Sequence, residues 1–311
     1  MRLCVFIEPQ LGATYEDQLA FAQRAERLGF EGFFRSDHYL ASAGGPPGPT
    51  DSWVTLGALA RETSTIRLGT LVSSATFRYP GPLAVAVAQV DAMSGGRVEL
   101  GLGTGWFERE HSAYGIPFPP VGERFGRLEE QLEILTGLWS TPVGATFSFE
   151  GRYYDLVDSP ALPKPVQQPG PPIIIGGKGL KRTPRLAARF ADEFNVPFSS
   201  LTDTTTSYDR VVAAIEAEGR DGRAPIVFSF AQTIVCGATE AEVRRRAESV
   251  GLDPNGPSAA GGQVYGTPAR VAEQLADFVK AGASRAFLQV LDFRDLEHLD
   301  LIAAEVAPLL P

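Results

Sequence analysis

The sequence predicts a protein of the α/β class built as a closed (β/α)8 barrel. Three observations carry this expectation. Short apolar runs alternate with longer amphipathic stretches, eight such runs can be counted, and some are apolar at every position, as in Ile173-Ile174-Ile175. Unbroken apolar runs mark strands covered on both faces, the condition of a parallel sheet. A chain of 311 residues holds the roughly 250 residues of a closed barrel with room for insertions. An open doubly wound sheet is the alternative reading of the same alternation.

The first strand is expected at Leu3–Ile7. A helix follows over Tyr15–Leu28, with Leu19, Ala22, Ala25 and Leu28 on one stripe. Further strands are expected at Gly32–Arg35, Arg67–Val72, Val98–Leu102, Ile173–Gly176, Glu193–Val196, Ile226–Val235 and Ala286–Leu291. Phe125, Leu128, Leu132, Leu135 and Leu138 form one helical face, and Leu296, Leu299, Ile302, Val306 and Leu309 form another. Gly29 and Gly282 stand just past helix ends, where a left-handed residue turns the chain back into a strand.

Three long connections interrupt the rhythm. Residues 39–50 are rich in Gly and Pro and follow the second strand, which places them at the carboxyl end of the barrel, where barrel enzymes do their chemistry. Residues 141–172 contain an expected hairpin, Thr146–Phe149 and Tyr153–Leu156, and read as structural. Residues 237–266 include the Gly-rich run Gly251–Gly266, a candidate lid, and end at an N-cap and first-turn proline, Thr267-Pro268.

Composition excludes several functions. There are 37 acidic and 28 basic residues, a net charge of −9, and no basic block of the kind that binds nucleic acid. The longest apolar stretch, Pro82–Val90, is far below the ~20 residues of a membrane span, and no secretion signal is expected. The two cysteines, Cys4 and Cys236, fall in strand-like runs and suit a reducing cytoplasm. Three histidines, without paired spacing, give no metal site of the usual kinds.

Chemistry concentrates at strand ends. Ser36-Asp37-His38 closes the second strand, where a histidine can transfer protons near neutral pH. Ser73, Ser74 and Thr76 bring hydroxyls to the same rim. Gly101-Leu102-Gly103-Thr104-Gly105-Trp106 follows a strand, but a Trp in its sixth position departs from the dinucleotide fingerprint. Gly176-Gly177-Lys178-Gly179 follows the most apolar strand, and its glycines let backbone amides approach an anion. Lys178, Lys181, Arg182, Arg185 and Arg189 crowd the next stretch with no acid before Asp192, which points to an anionic ligand.

These motifs, with Leu68-Gly69-Thr70-Leu71-Val72, Phe77-Arg78-Tyr79-Pro80, Gly95-Gly96-Arg97, Pro163-Lys164-Pro165 and Pro172–Gly177, resemble the bacterial luciferase-like superfamily and, within it, the coenzyme F420-dependent oxidoreductases. The resemblance runs from first strand to last helix and implies one luciferase-like barrel domain over residues 1–311 with insertions at 39–50, 141–172 and 237–266. It implies a deazaflavin at the carboxyl ends of the strands, bordered by Asp37 and His38. It also implies a non-proline cis peptide at Leu71-Val72 behind the ring, with Ser73 and Ser74 beside the cofactor. Gly105, Trp106 and Arg109 would follow the ribityl chain, Gly176, Gly177 and Gly179 the phosphate, and Lys178, Lys181 and Arg182 the charged tail. Where the family's sugar-phosphate dehydrogenases carry a glutamate after the glycine run, Trp106 stands here, which argues against a sugar phosphate. His38 is then the leading proton-transfer group, with Glu8 and Glu108 the remaining carboxylates nearby. The resemblance further implies a small-molecule substrate and a homodimer. The same fold would also suit an FMN-dependent monooxygenase using reduced flavin and oxygen, or a deazaflavin-binding protein without turnover.

Overall fold

The computed structural model describes residues 1–41, 50–220, 222–256 and 261–311. Eight parallel strands form its barrel: β1 Arg2–Ile7, β2 Gly32–Arg35, β3 Arg67–Thr70, β4 Val98–Gly103, β5 Ile173–Gly176, β6 Glu193–Pro197, β7 Val227–Cys236 and β8 Arg285–Gln289. Each pairs with the next, β8 returns to β1 with Val5 opposite Leu288, and β6 pairs with β7 with Phe194 opposite Phe228. No strand of this ring is an edge, so the barrel is closed.

Local signals agree with this arrangement. The helix Tyr15–Arg27 starts with a capping box between Thr14 and Asp17. Asp51 caps Ser52–Glu62 by accepting from the amides of Trp53 and Val54. Gly29 and Gly282 have φ of 81° and 104°, a left-handed conformation costly for any residue with a Cβ. The large apolar core lies between barrel and helices and includes Leu3, Val5, Phe21, Phe33, Leu100, Leu132, Ile175, Val271 and Ile302. A smaller cluster of Phe6, Phe34, Ile174, Ala231 and Phe287 fills the barrel, with Phe34 edge-on to Phe287 at 4.8 Å.

Beneath that cluster the amino-terminal end of the barrel is plugged by charge. Buried Arg285 reaches Glu99 Oε2 at 2.6 Å, Glu193 Oε2 at 2.7 Å and Glu31 Oε2 at 2.8 Å, and its Nε lies 3.1 Å from Cys4 Sγ. Burial opposes its charge, but the surrounding acids hold the guanidinium protonated. The same burial pushes the Cys4 thiol up, which keeps it inert.

The connections differ from expectation in places. Of the segment 39–50, residues 42–49 lie outside the described residues. The hairpin forms at Phe147–Glu150 and Asp155–Ser159, tied to the helix Val121–Ser140 by Glu130, which accepts from the amides of Arg152, Tyr153 and Tyr154. The segment 237–266 holds a helix, Glu240–Ser249, and Gln263–Gly266 forms a strand along the far half of β7, from Thr233 opposite Gln263 to Cys236 opposite Gly266. Glycine content suggested a lid there, but β7 is long enough to offer its unpaired end to this short strand; residues 257–260 lie outside the described residues. Among the described residues no helix is long and apolar enough to cross a membrane.

Candidate functional site

The carboxyl ends of β1, β2, β4 and β8 surround a pocket of about 190 Å³ lined by Glu8, Gln10, Leu11, His38, Leu40, Trp106, Phe107, Gln289 and Leu291. Each polar member is placed by backbone. After β1, Pro9 starts a short 3-10 turn, Pro9–Leu11, that returns Gln10 toward Glu8. Gln10 Nε2 donates to Glu8 Oε2, and Gln289 Nε2 from β8 donates to Glu8 Oε1 at 2.9 Å. The amide oxygens are held in turn by hydroxyls, Ser36 donating to Gln10 at 2.7 Å and Thr233 to Gln289 at 2.5 Å.

His38 follows β2 and forms the opposite wall. Its Nδ1 lies 2.9 Å from Glu110 Oε1, while the Tyr39 amide donates to Glu110 Oε2 at 2.9 Å. A carboxylate only accepts, so Nδ1 carries the proton. Nε2 has no protein partner among the described residues. Burial opposes the imidazolium, but the hydrogen bond and charge of Glu110, aided by Glu8 and Asp37, outweigh it and raise the His38 pKa above 6.5. Trp106, 65% exposed, meets the His38 ring edge-on at 5.5 Å and stacks on Phe107.

The peptide between Leu71 and Val72 is cis. Val72 lies over the glycines of β4: a Cβ on Gly101 would come within 2.1 Å of Thr70 O and 2.8 Å of Val72 Cγ1. Only glycine fits there. Ser73 is buried, receiving from Trp53 Nε1 at 3.3 Å and donating to Thr70. Ser74 Oγ lies 2.6 Å from Thr76 Oγ1, which lies 2.6 Å from Nε2 of buried His111.

The structure places three of the expected site groups away from this pocket. Asp37 does not border the pocket; it is buried against Arg78, which also reaches Asp51 at 2.7 Å. Just past the end of β2 the two neighbouring side chains part, His38 to the pocket and Asp37 to Arg78. Glu108 is exposed on the first turn of the helix Glu108–Ala113 and is absent from the pocket lining. Glu110, two residues on, is buried and holds His38 instead, because helix positions two apart lie on different faces. The basic run after Gly179 is largely claimed by neighbouring helices: Arg185 pairs with Glu218, Arg189 with Glu129 and Glu133, and Arg182 donates to Gly122 O with Glu129 at 3.8 Å. Those acids are distant in sequence, so the run looks unpartnered there. Lys178 donates to Phe198 O, and exposed Lys181 has no partner among the described residues.

Gly176, Gly177 and Gly179 lead into the helix Arg182–Phe190, which has no side-chain cap, so the amides of Arg182 and Thr183 remain open while Pro184 has none to offer. Arg109 lies against Phe107 and donates to Ala41 O. Gly105 packs against Ser74, leaving only 2.3 Å between that hydroxyl and any added Cβ. Glu110, Gln10 and Gln289 are the site residues that sequence reading missed. The one signal available was the spacing of Glu108 and Glu110, which dictates that at most one faces the barrel.

A closed parallel barrel whose polar side chains gather at the carboxyl ends of its strands defines the (β/α)8 enzyme architecture. The family model for luciferase-like monooxygenases matches residues 1–261, and the chain belongs to that family. It is 38% identical over 180 residues to the F420-dependent glucose-6-phosphate dehydrogenase of Microbacterium testaceum, covering 57% of this chain and 51% of the relative. Its counterpart in Nakamurella multipartita is 38% identical over 193 residues, 60% of this chain and 52% of the relative. The chain thus spans about half the length of the curated relatives it matches. Among solved structures, a monooxygenase from Streptomyces bottropensis superposes with a TM-score of 0.83 at 21% identity over 99% of both chains. The coenzyme F420 dependent tetrahydromethanopterin reductase of Methanopyrus kandleri does so with a TM-score of 0.81 at 19% identity, over 99% of this chain and 98% of that one. These two likenesses concern the fold.

Proposed function

We propose that this protein is an oxidoreductase that transfers a hydride between coenzyme F420 and a small organic substrate held in the pocket beside His38. The observation that carries the reading is the His38–Glu110 pair in the pocket wall, an imidazole with one nitrogen fixed and the other free. The similarity to relatives named for F420-dependent dehydrogenation supports it.

The residues present fit the cofactor. Leu71, Val72, Ser73, Ser74 and Gly105 lie together at the carboxyl ends of β3 and β4, and the glycines at 101 and 105 let these two segments pack closely behind the space the ring would take. The uncapped helix after Gly176–Gly179 offers amides to a phosphate, and Lys178 and Lys181 remain exposed for a charged tail. Bound F420 supplies the two-electron carrier. In the oxidising direction the substrate's hydroxyl proton passes to His38 Nε2 as its carbon gives up hydride; in reduction the proton returns. Glu110 positions the ring and stabilises the imidazolium. Glu8 faces the same space and binds a donor on the substrate.

The reading includes one barrel domain with the three long segments as insertions, a cytoplasmic setting supported by two buried free thiols, and a homodimer. Equilibrium titration of cofactor-free protein with F420 and with FMN tests the cofactor. Tighter binding of F420, followed by its reduction by a substrate, is expected. Preference for FMN with oxygen-dependent turnover would replace this reading by a flavin monooxygenase, and binding without turnover by a carrier.

A further inference from the structure

The pocket has an uneven charge pattern. Its lining holds one carboxylate, Glu8, two amides and His38, and no Lys or Arg. The segments 42–49 and 257–260 contain no Lys or Arg in their sequence. Of the basic groups beyond the lining, Arg78 is held by Asp37 and Asp51 and Arg109 by Ala41 O and the Phe107 ring, while Lys178 and Lys181 lie on the loop after β5 and are absent from the lining.

The amides do not present their donors to a ligand either. The chain Ser36→Gln10→Glu8←Gln289←Thr233 runs from β2 through β1 and β8 to β7, and each hydroxyl fixes its amide so that the NH2 group points at Glu8. Two of the roughly four lone-pair sites of a carboxylate are thereby used, and the rest accept from whatever occupies the pocket. Leu11, Leu40, Leu291, Trp106 and Phe107 supply the other walls.

We propose that the substrate of this site is uncharged, with an apolar body and a hydroxyl or N–H donor received by Glu8, and that phosphorylated or carboxylated compounds are rejected. This rests on the oxidoreductase reading for what the pocket is, but its charge preference stands on the Glu8 chain. An anion here would meet Glu8 across a half-buried space in which the one cationic group, His38, already has its charge met by Glu110. The relatives named for glucose 6-phosphate take an anionic substrate, so this chain departs from them within a shared fold.

The test uses matched pairs: glycerol and glycerol 3-phosphate, glucose and glucose 6-phosphate, propane-1,2-diol and lactate. Calorimetric titration of the F420-loaded protein gives affinities, and Trp106 fluorescence reads binding to cofactor-free protein, since Trp53 and Trp139 are buried. The neutral member of at least one pair is expected to bind about 10²-fold more tightly than its anionic partner, the scale of an uncompensated like-charge contact. In E8Q that ratio should narrow at least about tenfold. Equal or tighter binding of the anions, no binding by any neutral member, or an unchanged ratio in folded E8Q overturns the proposal. Should E8Q fail to fold, the wild-type ratio decides together with L291K, which adds a cation to the wall and should narrow it. Failure of F420 itself to bind would sink the proposed function while leaving the cofactor-free titration to decide the charge preference.

Discussion

Replacing Glu110 by Gln tests the link between a buried side chain and the chemistry assigned to His38. Glu110 is 1% exposed and accepts from two donors, His38 Nδ1 and the Tyr39 amide, each at 2.9 Å. A glutamine of the same shape has one acceptor and one donor. If its oxygen keeps the Tyr39 amide, its NH2 faces Nδ1, and His38 must present that nitrogen unprotonated, reversing the tautomer. A hydrogen bond to a charged group contributes about 1.5–3 kcal/mol. At about 1.4 kcal/mol per factor of ten, turnover should fall roughly 10–100-fold.

The pH profile separates this from general damage. Burial alone lowers the His38 pKa and Glu110 raises it, so E110Q should shift the limb governed by His38 to lower pH. The assay is single-turnover reduction of bound F420 across a pH series, alongside chemical denaturation. E108Q serves as control: Glu108 is exposed, and such substitutions change stability by only about 0.5 kcal/mol or less. An E110Q enzyme with an unmoved pH profile, or one no slower than E108Q, would refute the positioning role.

Other expectations follow from the same geometry. Because folding raises the His38 pKa above 6.5, its stabilising contribution is complete below pH 6.5 and is lost as pH rises through the folded value; the stability gap between wild type and H38Q should shrink over that interval in urea titrations at stepped pH. H38A should lower turnover by about 10²–10⁴-fold while changing F420 affinity much less, and equal losses in both would make His38 a binding residue. K181A should weaken F420 more than FMN and flatten the salt dependence of F420 binding, since exposed charge contacts are screened within ~8–10 Å; identical salt slopes would leave Lys181 as solvated surface. R285M should cost about 3–5 kcal/mol by leaving buried Glu193 without its cation and Glu99 with Arg67 alone, and a loss below about 1 kcal/mol in denaturant titrations would show that the barrel floor does not depend on that charge.

The sequence by itself determined the barrel. Strand and helix periods are local properties, and apolar runs such as Ile173-Ile174-Ile175 have no stable place outside a sheet covered on both faces. Motif order also fixed positions in the barrel: His38, the Leu71-Val72 cis peptide and the glycines that end β4 and β5 all fall at strand carboxyl ends. Tertiary structure decided which side chains act together. Residues 72 apart in sequence form the His38–Glu110 pair, residues 281 apart join Glu8 to Gln289, and nothing local distinguishes Glu110 from Glu108. The basic run after Gly179 shows the converse, because its neutralising acids lie on the helices Val121–Ser140 and Leu201–Glu218. Charge pairing depends on distance in space, which sequence spacing beyond one helical turn does not encode. Asp37 and His38 are neighbours in the chain, yet their partners in space, Arg78 and Glu110, gave one to a buried ion pair and the other to the pocket.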